Sequence, residues 1–102
     1  MLDHALMARP REIAEEVARL ARDILGPDVE VLWFGSWVKG TASPHADIDI
    51  AVAATEAIPL QQIAAIQDAV DSLPTLHEID LMDLRTVGES FRQEILGHGI
   101  CL

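Results

Sequence analysis

Two aspartates separated by one apolar residue, Asp47 and Asp49, are the side chains of this sequence best suited to chemistry. On a β-strand, side chains two residues apart point to the same face, about 6.6 Å apart along the backbone. Carboxylates placed in this way can converge on a hard cation such as Mg²⁺, which prefers oxygen ligands and often bridges to substrate phosphates. The pair therefore indicates a metal site, although an Asp-x-Asp pair can also lie on the solvent face of a half-buried strand.

A Gly-Ser pair, Gly35 and Ser36, closes the apolar run that precedes the acids. A turn of this kind offers backbone N–H groups and a hydroxyl, which suit a phosphate oxygen. Lys39 follows in the same connection and is the one lysine of the sequence. It could contact a phosphate as a point charge or could be a solvated surface residue. Beside the acid pair, these residues predict a site for a metal ion and a nucleotide.

Hydrophobic periodicity and stop signals predict the elements that position these residues, in the order helix, strand, strand, helix, strand, helix. Their expected bounds are 10–25, 29–34, 47–53, 59–73, 76–84 and 87–96. Pro10 is expected at the first position of the first helix, and Thr86 and Glu89 have the spacing of a capping box before the last one. One short helical turn is expected at the start of the connection 36–46.

The connections between these elements predict the topology. The short link between the first two strands favours antiparallel pairing, and the helix between the next two permits a parallel crossover. We therefore predict an α+β fold with two layers, in which helices cover a small mixed β-sheet.

A third carboxylate, Asp80, lies on the last predicted strand. If that strand is a neighbour of the one that carries Asp47 and Asp49, all three acids can face one pocket. Like charges this close raise each other's pKa, and two divalent ions about 3.5–4 Å apart would neutralise them and stabilise an in-line displacement at phosphorus. Glu78 shares the face of Asp80 and is the alternative third ligand if the strand register differs.

Composition limits the classes of partner. We predict one domain, residues 1–102, in which residues 1–9 form a loosely ordered extension. Seven basic residues against 17 acidic ones give a formal net charge of −10. This balance argues against a nucleic acid as direct substrate, because such affinity comes largely from Lys and Arg. A small nucleotide carried by metal ions remains compatible with it, and solubility alone is an equally good explanation of the charge.

The sequence contains few features that indicate a cellular compartment. The single cysteine, Cys101, excludes an internal disulfide. The N-terminal segment lacks the pattern of a signal peptide, and no apolar run approaches the ~20 residues of a membrane helix. We predict a cytoplasmic protein without membrane contact.

The spacing of these motifs resembles the signature of the polymerase-β-like nucleotidyltransferases, in particular their minimal, single-domain branch. The resemblance is carried by Gly35-Ser36, the ten residues that follow, and Asp47-x-Asp49, with Gly40 as the second glycine of the pattern. The segment 79–81 resembles the later strand that carries the third acid. The likeness extends over about 29–102.

One position departs from this pattern, since Ala46 stands where the family often has serine. The difference affects the loop before the acids and leaves the acids themselves in place.

The resemblance implies a role for each matching residue. Gly35 and Ser36 would bind the β- and γ-phosphates of a nucleoside triphosphate, and Lys39, from its place in the same loop, could add a positive charge. Asp47 and Asp49 would hold two Mg²⁺ ions. Asp80 would ligate the catalytic ion and help to deprotonate the acceptor hydroxyl. The implied reaction moves a nucleoside monophosphate, AMP from ATP, onto that hydroxyl and releases pyrophosphate.

The acceptor site must come from elsewhere, because a chain of this length has no room for an acceptor domain. A partner or a second copy in a homo-oligomer could supply it. The resemblance implies a small helical HEPN-type toxin as partner, with this chain as the antitoxin that transfers AMP to one of its tyrosines. Two alternatives stay open: a non-catalytic antitoxin or binding module that neutralises a partner by contact, and a nucleotidyltransferase for a small hydroxylated molecule.

Overall fold

The computed structural model describes the chain from His4 to Leu102, with side chains from Arg9 onward. The described part contains these elements in order: α1 His4–Leu25, β1 Glu30–Phe34, α2 Ser36–Lys39, β2 Ile48–Ala53, α3 Leu60–Asp71, β3 Ile79–Asp83, a 3₁₀ turn Leu84–Thr86, α4 Glu89–His98 and β4 Ile100–Cys101. Within this range no helix is long and apolar enough to cross a membrane.

The four strands form one mixed sheet in the order β3-β2-β1-β4. Strands β1 and β2 pair antiparallel, and β2 and β3 pair parallel, as predicted from the lengths of their connections. The α+β fold with a small mixed sheet is therefore confirmed. Strand β4 was not predicted, since its two residues are too few to show a periodicity; it pairs antiparallel with the other edge of β1.

The main core lies between one face of the sheet and the helices α1 and α3. Alternate residues of β1 and β2 point into it and are almost completely buried: Val31, Trp33, Ile48, Ile50 and Val52. The helices contribute an apolar stripe at helical spacing: Ile13, Ala14, Val17, Ala18 and Ala21 from α1, with Ile66 and Val70 from α3. This is the helix-on-sheet packing expected when one stripe of each helix is apolar.

The opposite face of the sheet carries a second, smaller cluster. Leu32, Phe34 and Ala51 point to this side because side chains alternate along a strand. They pack against Leu84 and against Ile95 of α4. Helix α4 therefore covers this face only in part.

The first helix begins earlier than predicted. It starts at His4, and Pro10 lies inside it rather than at its first position. Residues 4–9 are thus helical, and residues 1–3 lie outside the described part of the chain. A proline inside a helix costs one backbone hydrogen bond, but the Ala-Leu-Met-Ala run before it consists of strong helix formers.

The predicted capping box before the last helix is wrong. The Thr86 hydroxyl donates to the carbonyl oxygen of Asp83, 2.8 Å away, within the 3₁₀ turn. Gly88 takes the N-cap position of α4 without a side-chain hydrogen bond, and the helix continues through Gly97 to His98. The 3₁₀ turn begins at Leu84, so the third strand ends at Asp83. This strand also begins later than predicted, at Ile79 rather than at residue 76.

Candidate active site

Asp49 and Asp80 are directly opposite each other on neighbouring parallel strands, β2 and β3. Both carboxylates line a cavity of about 320 Å³ on the sheet face that α4 partly covers. Gly35 and Lys39 line the same cavity. The strand register therefore brings two of the predicted acids and two residues of the predicted phosphate loop to one place.

Gly35 lies against the carboxylate of Asp49. It follows Phe34, the partner of Asp49 in the β1–β2 ladder. Its φ of 89° and ψ of −160° belong to a region that is essentially restricted to glycine. A Cβ atom at this position would lie 2.1 Å from Oδ2 of Asp49. The structure thus requires glycine here for two reasons, the backbone conformation and the space that Asp49 occupies.

Ser36 is the first residue of α2, the short helical turn predicted after the Gly-Ser pair. The turn is closed by hydrogen bonds from the N–H of Lys39 to the carbonyl of Gly35 (3.1 Å) and from the N–H of Thr41 to that of Ser36 (3.0 Å). Gly40 ends it with a φ of 77°. The loop that follows leads to Asp47.

Asp47 lies one residue before β2, is exposed and does not line the cavity. Its charge nevertheless acts on Asp49. Burial, and then the charges of Asp80 and Asp47, raise the pKa of Asp49 from 3.8 to about 6. The other two predicted acids therefore both oppose the charged form of Asp49, as expected for like charges close together.

The donor set fits a hard cation, because carboxylate oxygens are the ligands that Mg²⁺ prefers and a cation would relieve the repulsion among the acids. Across residues 9–102, whose side chains the structure describes, however, no three carboxylate, imidazole or thiol groups form a ready-made metal cluster. Asp49 and Asp80 are the pair that could hold an ion in the cavity, and Asp47 lies outside it, just before β2. Glu78, the alternative third ligand, precedes β3 and does not line the cavity.

The loop before the acids is anchored at Ala46. The carbonyl oxygen of Ala46 accepts a hydrogen bond of 3.0 Å from Nε1 of Trp37 and lies 3.0 Å from Nδ1 of His77. The two rings also contact each other edge to face, with centroids 5.7 Å apart. Trp37 is buried, which agrees with a packing role. The side chains of Trp37 and His77 thus fix the backbone at Ala46, the position where the family often has serine. The spacing of residues in the sequence could not reveal these contacts.

Helix α4 supplies residues to the cavity that the sequence analysis did not assign to it: Phe91, Glu94, Ile95 and His98. The apolar spacing of Phe91 and Ile95 predicted a helix but not which sheet face it would cover. Lys39 forms an ion pair with Glu94 and so joins α2 to α4 across the cavity. This contact holds the pKa of the Glu94 carboxyl below its usual range.

We expect the Glu94→Gln variant to bind tripolyphosphate severalfold more tightly than the wild type in the absence of Mg²⁺. Glu94 is an anion that competes with a phosphate for Lys39, and its removal frees the ammonium group. Calorimetry at low salt measures the change. Thermal stability should stay the same, because an ion pair between half-exposed side chains contributes little to folding.

The matched control for this prediction is Glu89→Gln. Glu89 lies on the same helix and pairs with Arg92 at 2.9 Å, away from the cavity. Equal phosphate affinity in wild type and Glu94→Gln would contradict the competition.

Comparison with known proteins identifies the family. Residues 15–102 match the family model described as polymerase beta, nucleotidyltransferase, so the chain belongs to this family of nucleotidyltransferases. MntA of Haemophilus influenzae, named as a probable protein adenylyltransferase, is 31% identical over 87 residues, which are 82% of this chain and 76% of that protein.

Two solved structures extend the comparison. A crystal structure of a toxin–antitoxin with AMP-PNP matches with a TM-score of 0.64 and 27% identity, over 86% of this chain and 70% of the other. A structure of the tri-AMPylated Shewanella oneidensis HEPN toxin in complex with MNT antitoxin matches with a TM-score of 0.60 and 24% identity, over 90% and 70%, which supports the fold. The predicted likeness to the minimal nucleotidyltransferases of MNT–HEPN pairs is thus confirmed.

Proposed function

We propose that this protein is a Mg²⁺-dependent nucleotidyltransferase that moves AMP from ATP onto a hydroxyl group of a partner protein. The observation that supports it best is the register of Asp49 against Asp80, directly beside Gly35 and in one cavity with Lys39. Family membership supports the reaction class, and the relative named as a probable protein adenylyltransferase supports AMP as the group transferred.

Each residue has a role in this proposal. Gly35 and Ser36 hold the β- and γ-phosphates through backbone N–H groups and the serine hydroxyl, and Lys39 adds a positive charge. Asp47, Asp49 and Asp80 hold two Mg²⁺ ions. Bound Mg²⁺ supplies charge neutralisation for the triphosphate and for the leaving pyrophosphate.

The reaction is a substitution at the α-phosphorus of ATP. The acceptor hydroxyl oxygen forms a bond to this phosphorus, and the bond from the phosphorus to the oxygen that bridges to the β-phosphate breaks. Pyrophosphate leaves, and Asp80 accepts the proton of the acceptor hydroxyl. Few protein groups are needed, because such catalysis depends mainly on positioning and on electrostatic stabilisation.

For the acceptor, we propose a tyrosine of a small helical HEPN-type toxin, which makes this protein the antitoxin. The structures that it resembles are toxin–antitoxin complexes, one with AMP-PNP and one with an AMPylated HEPN toxin. The described residues form the sheet and its covering helices, and in this proposal the acceptor hydroxyl belongs to the partner protein.

The test is incubation of this chain with a HEPN-type partner, ATP and Mg²⁺, followed by intact-mass and peptide mass spectrometry of the partner. We expect a mass gain of one or more AMP groups on a tyrosine, absent with EDTA and absent with the Asp47→Ala/Asp49→Ala variant. An unchanged partner mass would contradict the proposal. Neutralisation of the toxin by the double variant would favour the alternative, an antitoxin that acts by contact alone.

A further inference from the structure

The cavity that holds Asp49 and Asp80 has two chemically different walls. One is polar and consists of the phosphate loop and the acids. The other is apolar, and we call it the apolar wall; its members are Phe34, Met82, Phe91 and Ile95. Met82 follows Asp80 by two residues on β3 and thus lies on the same face, about 6.6 Å further along the strand. The apolar wall therefore begins one side-chain step beyond the acids.

Phe91 is the exposed aromatic ring of the apolar wall. It contacts Phe34 edge to face, with ring centroids 5.7 Å apart and an interplanar angle of 77°. Phe34 is buried at 7% exposure and holds this arrangement, whereas Phe91 remains 40% exposed. An aromatic ring that is fixed on one side and open on the other is suited to stack with a flat ligand.

The size of the cavity limits what can enter. Its 320 Å³ is at the small end of the range for ligand sites, about 300–1,000 Å³. A triphosphate held at Gly35, Lys39 and the acids would fill the polar side of the cavity. The apolar wall is then the surface left within this volume for the rest of the molecule.

We propose that the apolar wall is the nucleobase site and that Phe91 stacks on the base and favours purines, whose ring face is larger than that of pyrimidines. This assignment rests on the proposed function, since it takes the triphosphate to lie at the polar wall. Base–aromatic stacking is strong enough to set an affinity preference without hydrogen-bond readout of the base.

The test compares ATP with inorganic tripolyphosphate, each with Mg²⁺, by calorimetry on the full chain. The two probes share their phosphates, and only ATP has a base. We expect wild type to bind ATP more tightly than tripolyphosphate and more tightly than CTP. Phe91→Ala should weaken ATP about tenfold, within the range of base–aromatic stacking, and should leave tripolyphosphate unchanged.

Two further variants distinguish a loss of base stacking from a general disturbance of the fold. Phe91→Trp retains an aromatic face and should preserve the preference for ATP. Leu96→Ala removes another exposed apolar side chain of α4, 51% exposed and outside the cavity, and should change neither affinity.

The unfavourable outcomes are distinct. If Phe91→Ala loses affinity for ATP and for tripolyphosphate equally, or loses no affinity for ATP, the assignment of the base site is overturned and the proposed function is not. Unchanged ATP binding with reduced transfer to a partner would assign the apolar wall to the acceptor instead. If wild type binds neither probe, the proposed function fails together with the base site.

Discussion

Replacement of Asp49 by asparagine is expected to stop nucleotidyl transfer and, at the same time, to stabilise the metal-free protein at neutral pH. The activity should fall by about 10³-fold, because in the proposed function Asp49 is a metal ligand, and its loss would remove several kcal/mol of charge stabilisation from the transition state. The gain in stability has a different origin, which is the unfavourable charge of Asp49 in the folded chain.

The direction of the pH dependence follows from the raised pKa. Below pH 3.8 the carboxyl group is protonated in both the folded and the unfolded chain and imposes no penalty. Between pH 3.8 and 6 only the folded chain keeps the proton, so its stability falls as the pH rises, and above pH 6 the penalty is complete. The full shift corresponds to roughly 3 kcal/mol, and because the group is partly solvated we expect about 1–2 kcal/mol.

Thermal unfolding in EDTA measures this effect. At pH 7.5 the Asp49→Asn variant should melt about 5 °C or more above wild type, and the difference should disappear near pH 4. Asp28→Asn, at an exposed carboxylate in the turn between α1 and β1, is the control and should show no such pH-dependent gain. Equal melting temperatures of Asp49→Asn and wild type at pH 7.5 would refute the prediction.

Gly35→Ala is expected to abolish Mg²⁺-dependent ATP binding and to destabilise the fold by about 2–3 kcal/mol. The backbone conformation of Gly35 is strained for any residue with a Cβ, which alone costs about 1–3 kcal/mol. In addition, the new methyl group would lie 2.1 Å from Oδ2 of Asp49, so the carboxylate has to leave its position opposite Asp80. Calorimetry with ATP and denaturant unfolding measure the two effects.

Gly40→Ala is the matched control for this prediction. Gly40 also has a positive φ, 77°, but a Cβ there would meet nothing within 4 Å. The Gly40→Ala substitution should reduce stability by about 1–2 kcal/mol through backbone strain and should leave ATP binding intact. If Gly35→Ala and Gly40→Ala reduced binding equally, the contact with Asp49 would not be the cause.

A double variant separates the backbone strain at position 35 from the steric clash with the carboxylate of Asp49. Asp49→Ala removes the carboxylate that the alanine methyl at position 35 would meet. Gly35→Ala should therefore destabilise a chain that already carries Asp49→Ala less than it destabilises wild type. Additive effects of the two substitutions would contradict the contact, since neighbouring residues that interact are expected to deviate from additivity.

The spacing of the motif residues along the chain was sufficient to predict the family and the central part of the fold. The link from Phe34 to Ile48 made β1 and β2 antiparallel partners, and the helix after β2 permitted the parallel crossover to β3. Those local rules allowed Asp80 to come beside the Asp-x-Asp strand, and the structure shows that it does. The sequence also indicated Gly35 as part of the site. The reason for glycine there, its contact with Asp49, is a feature of the tertiary structure.

What the sequence by itself determined is thus a set of short-range relations: the Gly-Ser turn and the antiparallel pairing of the two strands joined by a short link. Only the tertiary structure decided which face α4 covers, that Glu94 pairs with Lys39 and that Phe91 lines the cavity. Local spacing determines which residues share a face of one element. Which sheet face a helix covers depends instead on contacts between residues that are far apart along the chain. No fixed sequence spacing predicts such contacts.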